Sequence, residues 1–107
     1  MAKLNSEPME LSARTEEVIH KLFDSSRQDH ARRVLLKSCN RKLLGCSGWT
    51  DAQMERIWFA VLKLGGERRF SIDSAAQLAA TDWRDALVQA GFGSELDAHE
   101  KWRTSLL

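Results

Sequence analysis

Proline and tyrosine are almost missing from this 107-residue sequence: proline occurs once, at position 8, and tyrosine does not occur. The six glycines all lie between segments whose apolar residues recur at helical spacing. Alternation of apolar and polar residues, which is typical of strands, is scarce. The sequence therefore predicts an all-α fold, a single irregular bundle of five or six short helices.

Long hydrophobic runs are missing as well. The longest uncharged apolar run, "IWFAVL" over 57–62, is far shorter than the roughly 20 residues that a membrane-spanning helix needs. The first residues contain no positively charged segment followed by an apolar stretch, which a secretory signal would require. We therefore expect a cytoplasmic protein without membrane contact.

Cysteine is scarce, with only Cys39 and Cys46, too few for the disulfide framework of a small secreted domain. Their separation of seven residues exceeds the usual zinc-ligand spacing, and no second pair of ligands accompanies them. We therefore expect two free thiols, no metal site and no cofactor. Cys39 is interpreted as a small core residue.

Catalytic motifs are also lacking, since neither a nucleophile elbow nor a phosphate-binding glycine loop is present. "DWRD" over 82–85 brings two carboxylates into one turn, but the exposed start of a helix lacks the environment that gives two acids separate catalytic roles. We interpret Asp82 as a helix cap and Asp85 as a partner of the helix dipole. The sequence thus predicts a protein that is not an enzyme and has no catalytic residues.

The chain contains 43% hydrophobic and 29% charged residues, a composition typical of a soluble globular protein. Its length fits one domain with a substantial core. We predict that residues 1–10 form a flexible N-terminal segment and that residues 11–107 form a single helical domain.

Apolar spacing and capping signals divide this domain into six predicted helices. Thr50 with Gln53 has the spacing of a capping box, and Gly91 followed by Phe92 is typical of a helix end of the Schellman type. The predicted helices cover about 12–23, 27–44, 51–64, 73–80, 82–90 and a last segment opened by Ser94. The predicted core consists of Leu22, Leu35, Ile57, Trp58, Val61, Leu62, Leu78, Leu87 and Phe92.

The predicted second helix is strongly basic: residues 27–42 contain six Lys or Arg and one Asp, whereas the whole chain has a net charge of +1. On a helical wheel one arc of about 120° is basic and an opposite arc is apolar. The basic arc contains Arg27, His30, Arg33, Lys37 and Arg41, and the apolar arc contains Leu35, Leu36, Cys39 and Leu43. Arg32 and Val34 depart from this pattern, and we expect Arg32 to extend its stem toward water.

The compensating acidic charge lies in residues 71–100, which contain six Asp or Glu and one Arg. The chain is therefore charge-asymmetric. If the basic and acidic surfaces meet within the monomer, they form a weak electrostatic match, because exposed ion pairs contribute little. If they face different directions, each attracts a partner or a second copy of the chain.

These features predict a non-enzymatic protein-interaction or regulatory adaptor that uses the basic helix 27–42 and the acidic region 71–100. Its partner is expected to be another protein, or a second copy held by opposite charges. Trp49 and Trp102 are candidate aromatic anchors if they are exposed.

The alternative is nucleic-acid binding through phosphate contacts along a basic ridge about 21 Å long. The candidate phosphate contacts are Arg27, Arg33, Lys37, Arg41 and Lys42. No aromatic residue lies between them to stack on bases.

Overall fold

The structure, a computed structural model, describes residues 11–45, 48–67 and 70–106. In these ranges the chain forms seven α-helices and no strand, so the all-α prediction is confirmed with one helix more than expected. In chain order they are α1 (Ala13–Leu22), α2 (Ser25–Ser38), α3 (Arg41–Leu44), α4 (Asp51–Gly66), α5 (Ile72–Thr81), α6 (Trp83–Ala90) and α7 (Ala98–Leu106). The segment 1–10, predicted to be flexible, lies outside the described residues.

The central helix is α4, which packs against α1, α5, α6 and α7. Its sequence is apolar on more than one side, as expected for a helix that other helices surround. Phe59 and Leu64 are fully buried in addition to the predicted core residues of this helix, Ile57, Trp58, Val61 and Leu62. Seven of the nine predicted core residues are buried. The other two, Leu22 and Leu78, are partly buried and pack against the core.

The single predicted helix over 27–44 is wrong, because the chain breaks at Cys39 and Asn40 between α2 and α3. The Asn40 side chain is responsible for both ends of the break. Its Nδ2 donates to the carbonyl of Leu36 at 3.0 Å, and its Oδ1 accepts from the amide of Leu43 at 2.9 Å. An asparagine that competes for backbone groups in this way ends one helix and caps the next.

The break alters which side chains of this region are buried. Leu43, predicted on the apolar side, is 53% exposed, whereas Val34, predicted among the basic residues, is only 7% exposed. Val34 is buried because α2 packs against both α1 and α5, so its buried face is wider than the predicted arc. Arg32 is partly exposed and is held by carboxylates: its Nε and Nη2 donate to Glu16 at 2.8–3.0 Å, and its Nη1 donates to Asp29 at 2.6 Å.

Two predicted capping features are confirmed. Thr50 Oγ1 accepts from the Gln53 amide at 3.2 Å while Gln53 Oε1 accepts from the Thr50 amide at 2.9 Å, completing the capping box of α4. At the end of α6, Gly91 adopts a left-handed φ of 83°, and the Phe92 amide donates to the Leu87 carbonyl at 2.8 Å. This Schellman arrangement turns Phe92 into the core.

The predicted stop of α4 at its glycine pair holds to within two residues, since α4 runs to Gly66. Gly65 lies where α4 meets the start of α5: a Cβ at this position would stand 3.0 Å from the Cβ of Ile72. The absence of a side chain therefore allows the two helices to approach closely.

Among the described residues, no helix is both long enough and apolar enough to cross a membrane.

Candidate functional site

A surface groove of about 510 Å³ lies between α4, the start of α6 and the segment that leads into α7. Its volume is within the range of known binding pockets, and its lining combines apolar side chains with a few polar ones, as such pockets do. The apolar lining residues are Trp49, Ala52, Ile57, Trp83, Leu87 and Leu96, and the polar ones are Gln53, Arg56, Asp97, His99 and Glu100.

Two partly buried tryptophans form one wall of the groove. The rings of Trp49 and Trp83 meet edge to face, with their centroids 4.9 Å apart and an interplanar angle of 77°. Trp49 directly precedes the N-cap of α4, and Trp83 is the first residue of α6. Each tryptophan thus lies at a capped helix start, where the backbone is fixed by hydrogen bonds.

Arg41 holds the segment that carries Trp49. Its Nε donates to the backbone carbonyl of Trp49 at 2.6 Å, and its Nη2 donates to the Asp51 carboxylate at 2.7 Å. The sequence predicted Arg41 as a partner or phosphate contact on the basic helix. In the structure its guanidinium joins the start of α3 to the start of α4 and positions a wall of the groove.

Leu96 lies at the rim of the groove and is 81% exposed. The sequence predicted that Leu96 lies within a last helix opened by Ser94. That helix begins only at Ala98, and Leu96 lies in the turn before it. The structure therefore presents a large aliphatic side chain to solvent next to an apolar groove.

Arg56 carries a positive charge into the groove wall from α4. Its Nη2 donates to the backbone carbonyl of Phe92 at 3.0 Å, while its Nε is buried without a hydrogen-bond partner. Within the described part of the chain, no carboxylate forms an ion pair with Arg56. The groove thus contains a guanidinium whose charge is not compensated by a direct partner.

His99 forms the inner end of the groove and is 7% exposed. Its ring packs against Phe59 and Phe92, at centroid distances of 5.7 and 6.4 Å, and its Nε2 lies 3.4 Å from a carboxylate oxygen of Glu100. Burial lowers the pKa of His99 below its ordinary value, despite the opposing effect of the Glu100 charge. Burial therefore favours the neutral ring, and its buried Nδ1 has no hydrogen-bond partner among the described residues.

A charged junction behind the groove fixes α7 to α1 and α4. The buried carboxylate of Glu55 accepts from the Ser12 hydroxyl and lies 3.5 Å from Arg14. Arg14 also pairs with Glu100, whose other oxygen lies 3.7 Å from Arg103. Glu100 is therefore compensated within the chain, unlike Arg56.

The five basic residues predicted as contacts divide into two groups. Arg33, Lys37 and Lys42 are exposed and form no ion pair with any residue of the described ranges. Arg27 and Arg41 are engaged: the Arg27 guanidinium lies over the Phe23 ring at 5.1 Å, and Arg41 makes the contacts given above. Because α2 ends at Ser38 and α3 begins at Arg41, these residues do not lie on one continuous helix.

The basic and acidic regions pack together where α2 and α3 contact α5, but ion pairs between them are few. Among the described residues, one ion pair joins them, between His30 Nε2 and an Asp73 carboxylate oxygen at 3.1 Å. The other acidic groups of residues 71–100 that form ion pairs have partners elsewhere. Lys101 lies 3.3 Å from Glu95 and 3.9 Å from Asp97, for example. Most of the acidic charge is thus neutralised outside the basic surface.

The two candidate aromatic anchors have different settings. Trp49 lines the groove, whereas Trp102 packs against Phe59 and Phe92 at centroid distances of 6.2 and 5.7 Å. Trp83, which the sequence suggests as a core residue, lies partly buried in the groove wall. The one sequence signal for Trp83 was its position at the start of a predicted helix. No sequence signal pointed to Arg56, because its surroundings depend on how α6 and α7 pack.

The cysteines and aspartates that the sequence analysis weighed as metal-binding or catalytic residues lie apart. Cys39 is a free thiol in the core, and burial raises its pKa to about 12; Cys46 lies outside the described residues. Asp82 caps α6 by accepting from the Arg84 amide at 3.2 Å, and Asp85 is exposed. In the described ranges, no group of three or more His, Cys, Asp or Glu side chains could hold a metal ion.

Comparisons with protein-family models, with curated proteins and with solved structures found no significant match to this chain.

Proposed function

We propose that this chain is a non-enzymatic protein-interaction domain that binds its partner through the groove between α4, α6 and the turn before α7. The observation that carries the proposal is the Trp49–Trp83 pair beside the uncompensated Arg56 in an open, largely apolar groove. Tryptophan and arginine dominate the binding energy of protein interfaces, particularly in pockets that lose water on binding. A partner is expected to insert an apolar side chain and to bring an acceptor to Arg56.

The exposed cations Arg33, Lys37 and Lys42 support a second element of the proposal, electrostatic steering. Their charge is not cancelled by an ion pair within the described ranges. Exposed charges of this kind raise association rates and orient partners more than they add affinity. Neutralising them is expected to slow association while the dissociation rate stays unchanged.

The experiment is selection of a displayed library of random peptides against the whole chain, followed by binding measurements on two variants. Ala52→Arg fills the groove from an exposed position of α4, and Ala80→Arg makes the same change at an exposed position of α5 outside the groove. Selected peptides should carry a large apolar residue near an acidic one and bind Ala80→Arg like the wild type. The Ala52→Arg variant should bind these peptides at least about tenfold more weakly, a loss of about 1.4 kcal/mol of binding free energy. Equal binding to both variants, or failure to enrich any peptide, would contradict the proposal.

A second candidate function is nucleic-acid binding, which the exposed and unpaired Arg33, Lys37 and Lys42 favour. Phosphate contacts would make the affinity for random duplex or single-stranded DNA or RNA fall steeply with salt. An Arg33→Glu, Lys37→Glu double variant should then abolish the binding. Absence of binding even at low salt would remove this candidate and leave the groove proposal intact.

A further inference from the structure

The groove favours an occupant with an apolar side chain next to a negative charge, because its walls are apolar and Arg56 lacks a carboxylate partner among the described residues. The chain itself displays this combination. Leu96 is 81% exposed, and the side chain of the following residue, Asp97, is 64% exposed. Its ion pair with Lys101, at 3.9 Å, is at the limit for such a contact.

We propose that the occupant of the groove is a second copy of this chain. Leu96 of each copy enters the other copy's groove beside Trp49 and Trp83, and Asp97 of each copy pairs with the other copy's Arg56. This inference rests on the proposed function, since it names the partner that the groove binds. It makes the protein a homodimer at sufficient concentration.

The arrangement of the patch favours this occupant. In a two-fold dimer the same surface of both copies meets itself, so the patch has to contain both the inserting group and the groove that receives it. Leu96 and Asp97 lie on the rim of the groove that contains Arg56 and the tryptophan pair. In the proposed dimer one two-fold rotation places Leu96 of each copy in the other groove and Asp97 of each copy opposite Arg56, so both contacts form together.

This dimer differs from the opposite-charge association that the sequence suggested. The basic residues of α2 share one ion pair of the described ranges with the acidic region, between His30 and Asp73, and several of the other acids are paired elsewhere within the chain. Asp97 combines a weakly held carboxylate with a position beside an exposed aliphatic side chain in the lining of the groove. In the proposed dimer the attraction between opposite charges is therefore the one between Asp97 and Arg56 in the groove.

The first test measures mass by sedimentation over concentrations from about 1 μM to about 1 mM, a range that covers weak dimers. The average mass of the wild type should rise toward twice that of the monomer. Leu96→Ala and Asp97→Arg should raise the dimer dissociation constant at least tenfold. Val88→Ala is the matched control, because Val88 is 63% exposed but does not line the groove. It should dimerise like the wild type.

The second test exchanges the charges. Arg56→Glu alone and Asp97→Arg alone place like charges opposite each other at both contacts of the dimer, so each variant should remain monomeric. Mixed in equal amounts, the two variants should form a heterodimer, because both contacts then join opposite charges. If Arg56→Glu fails to fold, as circular dichroism would show, the exposed positions 96 and 97 still decide the question.

The outcomes separate this inference from the proposed function. A wild type that stays monomeric up to about 1 mM overturns the self-association, while peptides that bind it and lose affinity for Ala52→Arg keep the proposed function. A dimer that persists with unchanged affinity in both Leu96→Ala and Asp97→Arg also overturns the inference. A mixture of the charge variants that fails to associate, when both are folded, does the same.

Discussion

The indole Nε1 of Trp58 donates a 2.9 Å hydrogen bond to the backbone carbonyl of Cys39, in the buried interior. Cys39 is the residue at which α2 ends, and carbonyls at helix ends lack partners within the helix. The bond therefore satisfies a carbonyl that the break leaves open, and it joins the central helix α4 to the α2–α3 connection. Asn40 and Trp58 together make the break compatible with a buried position.

Replacing Trp58 by Phe should lower the free energy of unfolding by about 1–3 kcal/mol, because the buried Cys39 carbonyl loses its donor. Urea unfolding measures this loss. Trp102→Phe is the control, since Trp102 lies partly buried at the edge of the core, and its effect should be smaller. Equal losses in the two variants would show that the indole bond has no special role.

Replacing Asn40 by Ala should lower the free energy of unfolding by about 0.5–2 kcal/mol, the usual cost of losing a helix cap. Two bonds disappear together, the one from the Leu43 amide and the one to the Leu36 carbonyl. Urea unfolding gives the value, with the exposed Lys42→Ala as the neighbouring control. An unchanged stability would mean that the backbone breaks here without help from the side chain.

Cys39 should be unreactive in the folded protein, since burial raises its pKa to about 12 and closes access to its thiol. In a Cys46→Ser variant, which leaves one thiol, a disulfide reagent at about pH 8 should react only as fast as the protein unfolds. Added urea should accelerate the reaction to the rate of a free peptide. Immediate reaction of the native protein would contradict the buried position.

Acidification should destabilise the domain through His99. Because burial lowers its pKa in the folded state, the unfolded state binds the proton more readily. The free energy of unfolding should therefore fall as the pH drops below about 6.5, the ordinary histidine value. In His99→Asn this decrease between about pH 7.5 and about pH 5.5 should be smaller. The exposed His20→Asn is the control for replacing a histidine by asparagine, and its free energy of unfolding at about pH 7.5 should stay close to that of the wild type.

Arg41 should act on the groove through Trp49. Arg41→Ala removes the bond to the Trp49 carbonyl, so it should weaken binding of peptides or of a second copy. Lys42→Ala, one residue away and exposed, should leave both unchanged. Binding that falls equally in the two variants would instead favour a role of overall charge.

Sequence patterns identified the parts of the fold that depend on neighbouring residues. The capping box of Thr50 and Gln53 and the helix end at Gly91 involve contacts within a few residues, and both are confirmed. The burial of Val34 could not be predicted, because it depends on α5, more than thirty residues later. The break at Asn40 was not predicted for another reason. Apolar residues continue at helical spacing across it, while the Asn40 side chain competes for backbone hydrogen bonds.

The groove could not be predicted from the sequence either, because it also depends on contacts between residues far apart in the chain. Trp49, Arg56, Trp83 and Leu96 belong to separate segments that only the packing of α4, α6 and α7 brings together. Composition and spacing gave Trp49 as a candidate anchor, and the structure places it in the groove wall. They gave no signal for Arg56, because an arginine on an amphipathic helix is ordinarily solvated. The basic residues were the more conspicuous signal, yet two of the five predicted contacts are engaged within the chain.

The close approach of Gly65 to Ile72 limits how this sequence can evolve. Even the methyl group of alanine at position 65 would press against Ile72, so the two positions are free to change only together. Gly48, with open space around its backbone hydrogen and no left-handed φ, is under no such restriction. A larger residue at position 65 should therefore require a smaller residue at position 72 or a wider spacing of α4 and α5, whereas position 48 has room for one.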